Sequence, residues 1–191
     1  MKNRILRTFI AISAPHNVKN VKQMLISTME NEKSEVRWVK HINLHLTVKF
    51  LGFTPENKIE EICDDISNLV KTHSAFNLSI SNTGCFPNRT KPSVLYLGIN
   101  GDLKSLSLLV DDTEELFTKK GYPKLENDFS PHITLARIKY PQKITPDISS
   151  FLNSSYDSID FPVNHVQFFS SEILPEGVFY NLLGTFPLSD I

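Results

Sequence analysis

Apolar positions along the chain switch between two periods, and the switches divide it into strands and helices. Arg7 to Ser13 has the apolar content of a strand and ends at Pro15. Val18, Val21, Leu25 and Met29 then recur at helical spacing, which predicts an amphipathic helix over residues 17–30. A polar break at 31–35 precedes a short strand over 36–40 and a longer β-prone run from Asn43 to Leu51. Thr54-Pro55-Glu56 supplies an N-cap, a first-position proline and a first-turn acid. The helix it predicts carries Ile59, Ile62, Cys63, Ile66, Leu69 and Val70 on one face. Phe76 to Ser81 alternates as a strand, and Gly84 to Asn88 has the composition of a turn or loop.

The second half repeats the order. Ser93 to Ile99 predicts a strand, and Asp102 caps a helix with Leu103, Leu106, Val110, Leu116 and Phe117 on its face, stopped by Gly121. Phe129 to Ile138 predicts another strand, with Pro131 near its start, where a missing donor is tolerated. Thr145-Pro146-Asp147 starts a short helix, and 163–170 and 178–186 close the chain as strands. Strands and helices interleave, so the class is α+β or α/β. No low-complexity tract separates the halves, which are expected to share one core as a single domain over 1–191.

Inside the two long runs the same four-residue pattern appears. His45-Leu46-Thr47-Val48 recurs as His132-Ile133-Thr134-Leu135, 87 residues on. The same shift aligns Thr8 to Ser13 with Leu95 to Asn100, so Phe9 meets Tyr96 and Ala11 meets Gly98. A duplication with one motif per half is the simplest account. Side chains alternate faces in a strand, so His45 shares a face with Thr47, and His132 with Thr134. Two small sheets flanking a central cleft would bring two imidazoles and two hydroxyls together.

That kit suits phosphodiester chemistry. Imidazoles titrate near neutral pH, so one can take a proton from an attacking water while the other protonates the departing oxygen. Thr47 and Thr134 can donate to the charge that develops on the nonbridging oxygens. A 2′,3′-cyclic phosphate, already strained, needs no metal. Zinc is the competing use of the histidines, but no Cys, Asp or Glu stands at ligand spacing and threonine is a poor zinc ligand. Lys49 shares strand phase with His45 and can meet a phosphate or be solvated. Arg137 is out of phase with His132 and needs a bulge or strand end to reach the cleft. Phe86 and Arg89, on the expected loop, are candidates to stack a base or hold a phosphate, against the ordinary roles of a core ring and a surface cation. His41 lies in phase with His45 but fits a strand edge; His16, His73 and His165 lack repeated context.

Charge and composition exclude more than they add. A net charge of −1 argues against a large nonspecific nucleic-acid surface, although all 20 Lys and Arg lie at or before Lys143. Cys63 and Cys85 are the only cysteines, and Cys63 falls on a helix's apolar stripe. The apolar run after Lys2, Arg4 and Arg7 is too short for a signal peptide, and nothing is long enough to cross a membrane. A cytoplasmic location without a membrane partner is expected.

Together, Arg7-Thr8-Phe9-Ile10-Ala11-Ile12, Asn43 to Gly52, Gly84-Cys85-Phe86-Pro87 and Phe129 to Arg137 resemble the 2H phosphoesterase superfamily, and within it the RNA 2′,3′-cyclic phosphodiesterases, also called 2′-5′ RNA ligases. The closing segment 168–188 is similar too, so the resemblance spans nearly the whole chain. It implies an α+β fold of two pseudo-symmetric lobes around a cleft. It implies hydrolysis of RNA 2′,3′-cyclic phosphate ends to 2′-phosphates without metal or other cofactor, with His45 as proton donor and His132 as proton acceptor. Reverse ligation of tRNA-half ends is the associated activity, and a monomer is expected. Two other classes stay open: a noncatalytic RNA-end-binding module, and a phosphodiesterase for a small cyclic phosphate or 2′-5′ oligoadenylate.

Overall fold

The structure is a computed structural model, and it describes residues 4–29, 34–175 and 177–189. In chain order the elements are β1 (Ile5–Ser13), α1 (Val18–Ser27), β2 (Val36–Trp38), β3 (His45–Pro55), α2 (Ile59–Val70), β4 (Phe76–Phe86), β5 (Val94–Gly101), α3 (Leu103–Lys119), β6 (His132–Ile138), α4 (Ser149–Leu152), β7 (Ile159–Val163), β8 (His165–Leu174) and β9 (Gly177–Pro187). The polar break expected at 31–35 lies outside the described residues except for Ser34 and Glu35.

Among the described residues the strands form one sheet in the order β7-β4-β5-β6-β3-β1-β8-β9, with β2 beside β6. The expected two sheets are therefore two halves of one. They join where β3 meets β6, through the Cα pair of Leu46 with Ile133. Beyond that pair the edge of β6 is taken by β2, from Ala136 to Ile138, while β1 runs along the far edge of β3, so the halves part on one side of the joint. Each half borrows from the other repeat. β4, which follows the first motif, pairs with β5, and β8, which follows the second, pairs with β1. Helix α3 packs against β3, α2 against β9 and α4 against β4.

The helix-covered face forms the core. Ile10, Leu46, Leu51, Leu95, Ile133 and Leu135 point into it from the strands, and Leu109 and Phe117 from α3. Phe117 and Phe151 are fully buried, and truncating either to Ala would cost ~3–5 kcal/mol. Asp102 caps α3 as expected, accepting from the Ser105 N–H at 3.0 Å.

Two expectations fail here. Thr54 is not an N-cap: β3 runs on to Pro55, and Thr54 is buried with its hydroxyl 2.7 Å from that of Thr8. The segment from Gly84 to Phe86 is not a turn, because it continues β4 alongside Leu95 and Tyr96. Gly84 serves that pairing by its lack of a side chain. A Cβ there would lie 2.2 Å from the Tyr96 ring, which crosses it.

Candidate active site

The joint between the halves sets the site. With Leu46 opposite Ile133 in an antiparallel pair, the same register puts His45 opposite Thr134 and Thr47 opposite His132. The two histidines occupy the diagonal of that arrangement, where residues of a strand pair are about 7–8 Å apart and their Cβ atoms somewhat closer. Leu46 and Ile133 are buried on the other face, so the alternation that anchors the core also exposes the motif side chains to the cleft.

Each imidazole is oriented in the same way. Nδ1 of His45 lies 2.7 Å from the Asn43 carbonyl, and Nδ1 of His132 lies 2.7 Å from the Ser130 carbonyl. A carbonyl only accepts, so each Nδ1 carries the hydrogen and each Nε2 is left free to take or give a proton. Each ring is also walled by two aromatics. Phe9 (5.0 Å between centroids) and Tyr180 (5.4 Å) bracket His45. Phe86 (5.1 Å) and Tyr96 (5.4 Å) bracket His132, and they stack on each other at 4.4 Å. Among the described residues no hydrogen bond holds the hydroxyl of Thr47 or Thr134, and both are half-buried.

A duplicated bulge sets the direction of the side chains beyond each motif. Ile10 faces Lys49 but Ala11 faces Thr47, so Val48 is an extra residue in β3. Leu95 faces Ala136 but Tyr96 faces Thr134, so Leu135 is the extra residue in β6. Each bulge turns two consecutive side chains inward, Val48 with Lys49 and Leu135 with Ala136, and reverses the alternation beyond. Arg137 therefore regains the cleft face, by the bulge its phase required. It acts electrostatically on His45, His132 and Tyr180.

The same bulge removes Lys49 from the site. Strand parity puts it beside His45; instead its amine is buried, 2.7 Å from Glu114 Oε2 on α3 and 2.9 Å from the Pro123 carbonyl. Phe86 is present, as the last residue of β4 rather than on a loop. Arg89 lines a separate cavity of about 270 Å³ with Thr145 to Ser149, none of them from the motif strands. His41 stands on a short 3₁₀ turn with its ring 6.4 Å from that of His16, and His73 lies 3.1 Å from Asp112. Phe9, Tyr96 and Tyr180 are site residues that the motifs alone do not single out. The 87-residue alignment pairs Phe9 with Tyr96; nothing in the sequence marks Tyr180.

Electrostatics favour neutral rings. Burial pushes the His45 pKa below its ordinary value; the hydrogen bond to Asn43 opposes this, and the charges of Arg137 and His132 add to it. His132 is shifted the same way, by burial first, against its bond to Ser130 and with Arg137. Burial raises the Tyr180 phenol, against the pull of Arg137 and Arg7. Among the described residues, no three His, Cys, Asp or Glu side chains gather as a metal site, and no helix is long and apolar enough to cross a membrane.

A splayed sheet with a histidine and a threonine from each half at its joint defines a two-histidine phosphoesterase architecture. The chain belongs to the 2′-5′ RNA ligase superfamily, whose family model matches residues 18–172. It is 30% identical over 182 residues to an RNA 2′,3′-cyclic phosphodiesterase of Thermotoga maritima, covering 93% of each chain. Among solved structures it resembles TT0787 of Thermus thermophilus (TM-score 0.78, 24% identity, 97% and 99% of the two chains). It also resembles E. coli LigT complexed with 3′-AMP (TM-score 0.71, 22% identity, 98% and 100%).

Proposed function

We propose that this chain hydrolyses RNA 2′,3′-cyclic phosphate ends to 2′-phosphomonoesters, with His45 and His132 as its acid–base pair. The observation that carries the reading is the matched pair of imidazoles at the joint, each with Nδ1 held by a carbonyl and Nε2 free. His132 Nε2 takes a proton from water as the water oxygen bonds to phosphorus. The bond from phosphorus to the 3′ oxygen breaks, and His45 Nε2 gives that oxygen its proton. The donor and acceptor roles rest on the family likeness, because the two rings are held almost identically. Thr47 and Thr134 donate to the nonbridging oxygens, and Arg137 balances their charge. A 5′-hydroxyl attacking in place of water gives a 2′-5′ linkage by the same proton transfers. The enzyme acts as a single-domain monomer in the cytoplasm, without a metal, and tRNA halves are among its RNA substrates.

The test is turnover of an oligoribonucleotide ending in a 2′,3′-cyclic phosphate, with product position read by phosphorus NMR and EDTA present. A 2′-phosphate formed at an undiminished rate supports the reading. Loss of activity in EDTA, restored by zinc or manganese, would sink the metal-free mechanism. Binding without turnover would make the chain an RNA-end-binding module.

A further inference from the structure

The two halves of the cleft differ in what they expose. On the His45 half, Phe9 and Tyr180 share one face of the sheet. Its outer positions are apolar and open to solvent: Ile5, Phe50, Phe53, Ile173, Val178 and Leu182 are 40–76% exposed. Strand register puts them on one face. Phe9 is opposite Phe50 and Phe169, Arg7 is opposite Phe53, Leu182 is opposite Phe169, and Ile173 is opposite Val178. Thr8 and Thr54 join on the buried side of the same strands, so Arg7 and Phe53 point outward. The Arg7 guanidinium lies 6.0 Å from the Phe53 ring centre, and its charge reaches Tyr180 in the site. On the other half the equivalent positions carry little of this. Phe50 is replaced by Arg137, Arg7 by Val94 and Phe53 by Tyr140, whose hydroxyl is tied to the Pro92 carbonyl and whose ring is covered by Lys91.

We propose that this face is the track for the RNA strand leading to the cyclic end. The nucleotides upstream of the reacting one stack on Phe50 and then Phe53, and Arg7 takes a backbone phosphate between them. The inference rests on the proposed activity and adds to it the direction of the strand and a preference for oligonucleotides. Three observations carry it. The face is continuous with the site, since the Phe50 ring is 6.0 Å from Phe9, which walls His45. Its two most exposed aromatics stand about 7 Å apart along the strand, because Phe9 and Arg7 opposite them are two residues apart. An arginine is set beside the second ring. Aromatic rings interleaved with a cation are how single strands are held without base readout, and an exposed apolar face of this kind seldom persists unused.

The test compares kcat/KM on adenosine 2′,3′-cyclic phosphate with that on an adenylate trimer ending in the same group. The trimer should be favoured about tenfold or more. Phe53→Ala should lower the trimer-to-monomer ratio about tenfold, and Phe53→Trp should restore it. Arg7→Gln should lower it too, and flatten the salt dependence on the trimer by about 0.7 in log–log slope. Phe53 is 76% exposed, so its variants should fold. Turnover of both substrates with no trimer preference, or a ratio indifferent to Phe53 and Arg7, overturns the track and leaves the activity standing. A ratio that collapses instead in Arg89→Gln puts the strand on the other half. No turnover of either substrate removes the proposed activity and the track with it.

Discussion

One residue past the inward-turned pair of each bulge, the His45 half presents Phe50 and the His132 half presents Arg137. The backbone beneath is the same: a motif strand, an extra residue at Val48 or Leu135, and a return to the cleft face. The difference lies in the side chains. Both histidines are walled by aromatics, but at this position one half offers a further exposed ring and the other a guanidinium. A duplicated fold first makes two equal histidines; a cleft that binds a nucleotide end needs unequal sides, a base on one and the charge of a phosphate on the other. The divergence of two positions 87 residues apart supplies that inequality and leaves the hold on the two imidazoles alike.

The sharpest way to break the comparison is to ask whether the two histidines are equal in chemistry as they are in geometry. Removing either should cost about 10²–10⁴-fold in kcat on cyclic-phosphate RNA. A p-nitrophenyl phosphodiester, whose leaving group needs no proton, should separate them. His45→Ala should recover most of its loss on that substrate, and His132→Ala should not, because water still needs a base. If both variants respond alike, the donor and acceptor assignment is wrong even though the pair stands.

Arg137 comes next. Arg137→Gln should lower kcat/KM by about 10²-fold, since a cation no longer meets the charge developing on phosphorus's oxygens. The pH profile gives a reading that a merely structural loss would not. Both histidines are held below the ordinary imidazole value, by burial first and by this arginine in addition. The kcat/KM bell of the wild type should therefore be centred on the acid side of that value, rather than at neutrality. Both limbs belong to the coupled pair. Without the arginine the protonated form of each ring is less disfavoured, the pKa values rise, and both limbs should move to higher pH. A bell that stays in place would show that Arg137 does not face the two rings in solution.

The threonines should matter less, about tenfold each for Thr47→Val and Thr134→Val, the value of one hydrogen bond to a charged group. A loss confined to one of them would show that the nonbridging oxygens lean toward one half.

How far the site is legible in the sequence depends on what alternation can encode. The paired histidines and threonines are legible because a period-two strand puts residues two apart on one face, and duplication marks which strand faces matter. The bulges are not, since an extra residue carries no sequence mark; Val48 and Leu135 are ordinary strand residues. That is why parity puts Lys49 in the cleft and admits Arg137 only on condition of a bulge. Thr54 has the composition of a helix cap, yet a long-range hydroxyl contact with Thr8 decides its place. Gly84 has the composition of a turn, but it is a glycine because the Tyr96 ring crosses it. The edge strand β7 escapes notice because Pro162 interrupts a short run, a residue edge strands tolerate.

The smallest effect on catalysis should come from Lys49, and it tests the bulge itself. Its counterpart in the other half is Ala136, fully buried at the same place in the duplicated device. Lys49 can occupy that position because Glu114 from α3 and the Pro123 carbonyl both come to its amine. Burial works against the Glu114 charge, yet hydrogen bonds from Lys49, the Leu125 N–H and Thr118 hold it below the ordinary carboxylate value. Lys49→Met fills similar volume and leaves the carboxylate without its ion partner. It should lower the free energy of unfolding by about 3 kcal/mol at neutral pH, measured by urea denaturation, with kcat and KM of the folded fraction within about twofold of wild type. The pH sign is fixed. A carboxylate held low in the folded state contributes stability that is complete above its unfolded value and is lost as pH falls through its folded one. The variant keeps only the Leu125 N–H and Thr118 bonds and so has less of that contribution to lose, and its deficit should shrink as the pH is lowered into the carboxylate range. A variant that folds as stably as wild type but loses activity would return Lys49 to the cleft and remove the bulge from the explanation.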